Sequence, residues 1–298
     1  MKLRFVGSLI VAALLSLVQI PVVGPTSLAR LRAASFVEAG PTPLLGSYVE
    51  ARRSLGEGGS LSLLGQAPSA TAIPRARDGK PDLSGIWRVM NTAAWDIQDH
   101  SAQQGVPAGQ GVVEGNEVPY QPWALAKKKE NYEKRATLDP ETKCYLPGVP
   151  RITYMPFPFQ IIQMPDQLTV LYEYAHATRY IYTNGSQHPP GHIDWWLGDS
   201  RGRWEGDTLV VDLIHFNEDT WFDRAGNFHS DALHVVERFT LIGADHVNYE
   251  VTIEDPKVFT RPWKMSMILY RHKERNFQLL DYECYGFEFE PYYPYPGI

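Results

Sequence analysis

Between residues 247 and 254, Val247, Tyr249, Val251 and Ile253 alternate with Asn248, Glu250, Thr252 and Glu254. That period of two puts one side chain into a core and the next into water along a β-strand. Leu209, Val211 and Leu213 alternate in the same way with Val210, Asp212 and Ile214, and Gly206-Asp207 before them reads as a tight hairpin turn. Gly243-Ala244-Asp245 separates two further strands. Read along the whole chain, the pattern predicts about ten strands, near 83–90, 157–164, 168–174, 177–183, 200–205, 208–215, 231–242, 247–254, 264–273 and 278–284. One helix is predicted near 121–137, with Pro122 in its first turn, Lys127, Lys128 and Lys129 on its solvent side, and Asp139-Pro140 as its stop. Long helices between strands are missing, which argues against a parallel sheet. The expected fold is all-β, an antiparallel barrel of about ten strands with one short helix; a two-sheet β-sandwich is the alternative.

The first 74 residues follow another pattern. Met-Lys-Leu-Arg is a short basic start, Phe5 to Val18 is apolar, and Ser27-Leu28-Ala29 ends in small residues, the layout of a cleavable secretory signal over residues 1–29. The apolar run of 14 residues is shorter than the roughly 20 that span a bilayer. No membrane span is therefore expected once the signal is removed, and the location is read as periplasmic or secreted. Residues 30–74 are rich in Ser, Gly, Ala, Leu and Pro without helical or strand periodicity, and read as a flexible spacer. Ser35-Phe36-Val37-Glu38-Ala39 and Ser47-Tyr48-Val49-Glu50-Ala51 resemble each other, but five residues cannot form a core, so the duplication is low complexity. Residues 75–298 are expected to form a single domain.

Charge narrows the partners. Residues 76–298 carry 31 acidic and 21 basic side chains, a net charge of −10, which repels nucleic acid and anionic membrane surfaces. Cys144 and Cys284 make an even pair in an exported chain, the circumstance that favours a disulfide.

Leu83-Ser84-Gly85-Ile86-Trp87 opens the first strand, and its Gly-x-Trp resembles the lipocalin start, in which the tryptophan plugs one end of the barrel. The usual Thr-Asp-Tyr element of that family is absent, and the domain is longer than most of its members. The stretch from Gly198 to Thr240, including Gly202-Arg203-Trp204-Glu205-Gly206-Asp207-Thr208-Leu209-Val210-Val211, is similar to a group of exported bacterial proteins. That resemblance implies export and brings no activity with it.

Three segments hold candidate chemistry. His188, His192 and Asp194 lie within seven residues, with Trp195, Trp196 and Asp199 following. They offer three metal ligands at a spacing that matches no strong zinc signature, so no metal is expected and solvated histidines are the plainer reading. The second segment, 216–230, is long for a hairpin connection and holds Trp221, Asp223, Arg224, His229 and Ser230, with Asp231 and His234 next. His229 with Asp223 or Asp231 would be a proton-transfer pair and Arg224 would hold a developing anion. Equally, Asp223-Arg224-Ala225-Gly226-Asn227 is good turn chemistry in which Asp223 only satisfies backbone amides. The third feature is Glu237, on the apolar face of its strand and expected to sit in a cavity or pair with an arginine such as Arg271. The tail from Tyr285 to Ile298 reads as a strap across the barrel. No Gly-x-Ser-x-Gly, phosphate loop or dinucleotide fingerprint is present, and no cofactor is expected.

Tryptophan, tyrosine and phenylalanine crowd the domain, as they do in barrels that hold a ring-bearing ligand and in ordinary β cores. The expectation is an exported barrel that binds a small hydrophobic or aromatic molecule through Trp195, Trp196, Trp204 and Trp221. It would perform acid–base chemistry on that molecule with His229, Asp223, Asp231, Arg224 and His234. A carrier without chemistry is one alternative. A glycan-active protein stacking sugars on Trp195 and Trp196, with Asp194 and Asp199 as paired carboxylates, is another. The sequence leaves oligomeric state open. Cleavage is predicted after Ala29, which the intact mass of the exported protein checks; a mature chain still starting at Met1 would defeat it.

Overall fold

Nine strands hydrogen-bond in chain order and the last returns to the first, closing a barrel. The structure is a computed structural model that describes residues 72–103 and 105–284. The signal-like segment, nearly all of the spacer and the aromatic tail lie outside the described residues. The strands are β1 (Gly85–Val89), β2 (Phe159–Met164), β3 (Gln167–Tyr172), β4 (Thr178–Tyr182), β5 (Asp199–Glu205), β6 (Thr208–Ile214), β7 (His234–Gly243), β8 (His246–Glu254) and β9 (Trp263–Arg271). Helices are few: α1 (Pro122–Glu133) and α2 (Arg135–Leu138) occupy the predicted helical region, and α3 (Arg151–Tyr154) is a single turn. Among the described residues no helix is long and apolar enough to cross a membrane.

Closure rules out the two-sheet sandwich and explains the missing tenth strand. β1 pairs with β9 through Trp87↔Arg271, Arg88↔Tyr270 and Val89↔Leu269, which uses the last free edge. Residues 278–284 have no edge left to join. They make one bridge, Tyr282 with Tyr174, and are fastened by the disulfide between Cys284 and Cys144.

Eight of the nine strand contacts are antiparallel, as the alternation predicts, and one is not. β4 and β5 run parallel and pair only through Ile181↔Ser200 and Tyr182↔Arg201. A hairpin cannot connect parallel neighbours, so residues 183–198 must run back along the barrel wall before β5 begins.

The lumen is packed with side chains. Trp87 is fully buried, its Nε1 donates to the Leu83 carbonyl at 2.8 Å, and the Arg271 guanidinium lies 4.2 Å from its ring centroid. Phe159, Ile161, Val170, Val211, Val235, Phe239 and Val251 add to the fill. The void left beside Leu83, Phe159, Tyr172 and Arg179 is about 10 Å³, no more than one water needs.

Glu237 is fully buried inside the barrel and its partner is Arg179, not Arg271. Arg179 Nη1 lies 3.2 Å from Glu237 Oε1, and Nη2 makes a second, shorter contact with Oε2. Tyr249 donates to Glu237 Oε1 at 2.5 Å, and Arg179 Nε donates to Ser200 Oγ at 2.9 Å. Burial alone would lower the arginine's pKa, but Glu237 outweighs it and the net shift is upward. Burial and Glu237 together push the Tyr249 phenol well above its ordinary range. Arg271 was the wrong partner to expect because it spans the seam, hydrogen-bonding the carbonyls of Asp82, Ser84 and Ala244.

Glu237→Leu alone leaves Arg179 charged and unpaired, an expected cost of about 3–5 kcal/mol. Adding Arg179→Met should recover most of that loss. Urea unfolding of the two variants checks it; a double variant no more stable than the single one would show that the pair is not the term at stake.

Candidate functional site

The backtracking segment 183–198 is held to the outer wall by alternating imidazoles and carboxylates. His188 Nδ1 lies 2.6 Å from Asp199 Oδ2, and its Nε2 lies 2.9 Å from Asp212 Oδ1. The other Asp212 oxygen is 2.8 Å from His234 Nε2, and His234 Nδ1 is 3.3 Å from Glu254 Oε2. Arg201 clamps Asp199 from Nε at 2.7 Å and Nη2 at 2.9 Å, and donates from Nη1 to Ser186 Oγ at 2.6 Å. Strand register builds this array: Arg201 is paired with Asp212 across β5/β6, and His234 with Glu254 across β7/β8. Each imidazole faces a carboxylate with both nitrogens. The hydrogen bond from His234 is the main reason the Asp212 pKa is lowered, and the same bond raises that of His234.

His188, His192 and Asp194 do not converge. The Pro189-Pro190-Gly191 bend turns His188 onto the wall, while His192 pairs with Asp194 at 3.1 Å, both well exposed. Among the described residues no cluster of three His, Cys, Asp or Glu side chains could hold a metal ion.

A cleft opens beside this array. Upstream of their two paired positions, β4 and the approach to β5 part, leaving an open space of about 370 Å³. Its walls are Leu146, Thr178, Tyr180, Tyr182, Trp195 and Trp196, with Asp199 and Ser200 among its polar lining. Tyr180 and Tyr182 are two residues apart on one strand and so face the same way. Their rings lie 6.5 Å apart, and Trp196 packs at 4.9 Å against Tyr145. Trp195 is fixed by its backbone, whose N–H donates to His215 and whose carbonyl accepts from Asn217. Tyr180 is 50% exposed and Trp195 36%. Trp204 and Trp221 lie elsewhere: Trp204 has Lys80 over its ring, and Trp221 is buried, bridged to Phe228. Asp194 does not line the cleft, so Asp199 has no carboxylate partner of that origin there.

The 216–230 connection is welded rather than open. Asp223 accepts from the backbone N–H groups of Ile97, Ala225 and Asn227 and from the Asn227 side chain, at 2.6–3.1 Å. It is fully buried, and burial together with nearby Asp96 pushes its carboxyl pKa up to about 7. His229 is 3% exposed; its Nε2 meets Thr220 Oγ1 at 2.6 Å and its Nδ1 meets the Ser230 carbonyl at 2.9 Å. Burial lowers its pKa. Asp231 pairs with Lys257 at 2.5 Å, and Arg224 makes a two-pronged contact with Glu141, which also binds Arg151. His229 is therefore hydrogen-bonded to neither Asp223 nor Asp231, and His234 belongs to the wall array. The plainer reading of Asp223, as a cap for backbone amides, describes what it does. The loop is long because it closes one region of the barrel against the segment 139–154.

Sequence reasoning picked out His188, His234, Asp199 and the two tryptophans but not the array that joins them. Asp212, the lone charge in an otherwise apolar strand, was the visible signal. Tyr180 and Tyr182 were hidden among a strand's ordinary aromatics.

No protein-family model matches the chain, and no curated protein matches it in sequence.

The array should stabilise the fold most in mildly acidic solution. Asp212, lowered from 3.8, contributes above its ordinary value, and the contribution disappears as pH falls through the folded value. His234, raised from 6.5, contributes below its ordinary value, and that is lost as pH rises through the folded value. The stability gap between the native chain and His234→Gln should be widest near about pH 5.5 and narrow by about pH 9. Denaturant midpoints measured across that range test it, and a gap that widens toward alkaline pH would contradict it.

Proposed function

We propose that this chain is an exported binding protein, a lipocalin-like barrel that takes a small ring-bearing molecule in the β4/β5 cleft. The carrying observation is where the space lies. The lumen void beside Leu83 and Phe159 is about 10 Å³, whereas the cleft has about 370 Å³, within the range of small-molecule sites at roughly 300–1,000 Å³; an opening of about 380 Å³ beside Met90 and Met267 has Tyr270 as its one aromatic wall. Its walls are aromatic, and the segment that shapes it is pinned by the His188 and Arg201 contacts to Asp199. The signal-like start and the Cys144–Cys284 disulfide support export. The charge of −10 on residues 76–298 argues against a polyanionic partner.

A second reading keeps the acid–base chemistry but moves it to the cleft. Asp199 lines the cleft and is hydrogen-bonded to His188, so a proton-carrying group stands beside the ligand space. His229 supports neither reading directly, since both its nitrogens are occupied in a buried setting.

The ligand that co-purifies from the periplasm, identified by mass spectrometry, is expected to be retained by His229→Ala and lost from the double variant Trp195→Ala/Tyr180→Ala. The reverse pattern would return the site to the 216–230 loop. Conversion of that ligand by the native chain, lost in His188→Ala, would favour the second reading.

A further inference from the structure

We infer that the cleft takes a neutral, hydroxyl-bearing saturated ring, that is, a sugar ring, stacked on Trp195 and Tyr180 with one hydroxyl donated to Asp199. This rests on the cleft being the ligand site and narrows what it accepts.

Three features of the cleft carry the inference. The first is charge balance. Asp199 is neutralised by Arg201, and Arg179, which borders the cleft, is neutralised by Glu237. An ionic ligand would find no uncompensated counter-ion, and desolvating its charge would go unrepaid. A neutral ligand meets no such penalty.

The second is a single spare acceptor. A carboxylate has about four lone-pair positions. Asp199 Oδ2 receives His188 Nδ1 and Arg201 Nε, and Oδ1 receives Arg201 Nη2, which leaves one position on Oδ1. The Asp199 side chain is 6% exposed, so its orientation is set before any ligand arrives. A fixed acceptor suits a hydroxyl, which can donate to it.

The third is wetness. Tyr180 and Trp195 are substantially exposed, and the cleft is open on one side. A wholly apolar molecule needs most of its surface buried to bind well, and an open cleft leaves much of it in water. A sugar ring has an apolar C–H face to lay on an aromatic ring and hydroxyls around its rim that stay hydrated. Tyrosine and tryptophan suit such half-wet contacts, with an apolar body and a polar tip.

The exported full-length chain is screened on a glycan array, and its hits are titrated by tryptophan fluorescence alongside two aromatic probes, 4-methylphenol and indole. Sugar binding is expected, weakened about tenfold or more by Trp195→Ala and again by Tyr180→Ala, both exposed positions whose loss leaves the core intact. Asp199→Asn should weaken it too, provided its circular dichroism matches the native chain. Sugar binding that both aromatic variants leave unchanged would place the sugar elsewhere and overturn the inference. A blank array with phenol or indole binding that Trp195→Ala abolishes would overturn the sugar class and leave the cleft as the ligand site. A blank array with binding of neither aromatic probe would defeat both.

Discussion

A ring of strands that alternates direction all the way round must contain an even number, and this barrel contains nine. One contact therefore has to be parallel, and the chain has to retrace the barrel's height somewhere to make it. Both happen between β4 and β5. The retracing segment supplies His188, Trp195 and Trp196, the weak two-residue pairing lets the wall open, and the opening is the cleft. The array on Asp199 and Asp212 follows from the same cause. A long segment lying on the outside of a barrel needs polar anchors, because the wall it lies on is otherwise solvated.

The interior answers a different demand. Small barrels fill their lumen with side chains, and here the fill includes a buried arginine and glutamate with Tyr249 and Ser200 completing their hydrogen bonds. Such a pair contributes little net stability compared with apolar packing, but breaking it is costly. A lumen organised around fixed charges cannot readily be emptied to admit an apolar guest. Gly85-Ile86-Trp87 is in this setting a structural plug, with Trp87 fully buried.

The strands were legible because period two survives in one-dimensional form, as in Val247–Glu254, and the helix because Pro122 and Asp139-Pro140 bracket it. The disulfide was legible from an even cysteine count behind a signal-like start. What could not be read was which strands neighbour in direction. Nothing in Tyr182 or Ser200 marks their strands as parallel, because parity is a property of the whole ring. The partner of Glu237 was lost for a related reason. Register across three-dimensional space decides between Arg179 and Arg271, and both sit in similar surroundings in sequence. In the 216–230 loop, residue types suited to catalysis are also those that cap backbone amides, and only burial and hydrogen-bond partners separate the two roles for Asp223 and His229.

The seam between β1 and β9 joins the two ends of the described chain, Trp87 opposite Arg271. Until β9 exists, β1 and β8 each present an unpaired edge able to recruit a foreign strand. A chain that emerges from its N-terminus first must carry these edges until β9 has been made. It cannot be folded piecemeal, and a truncation before Arg271 would yield an open sheet, not a smaller barrel.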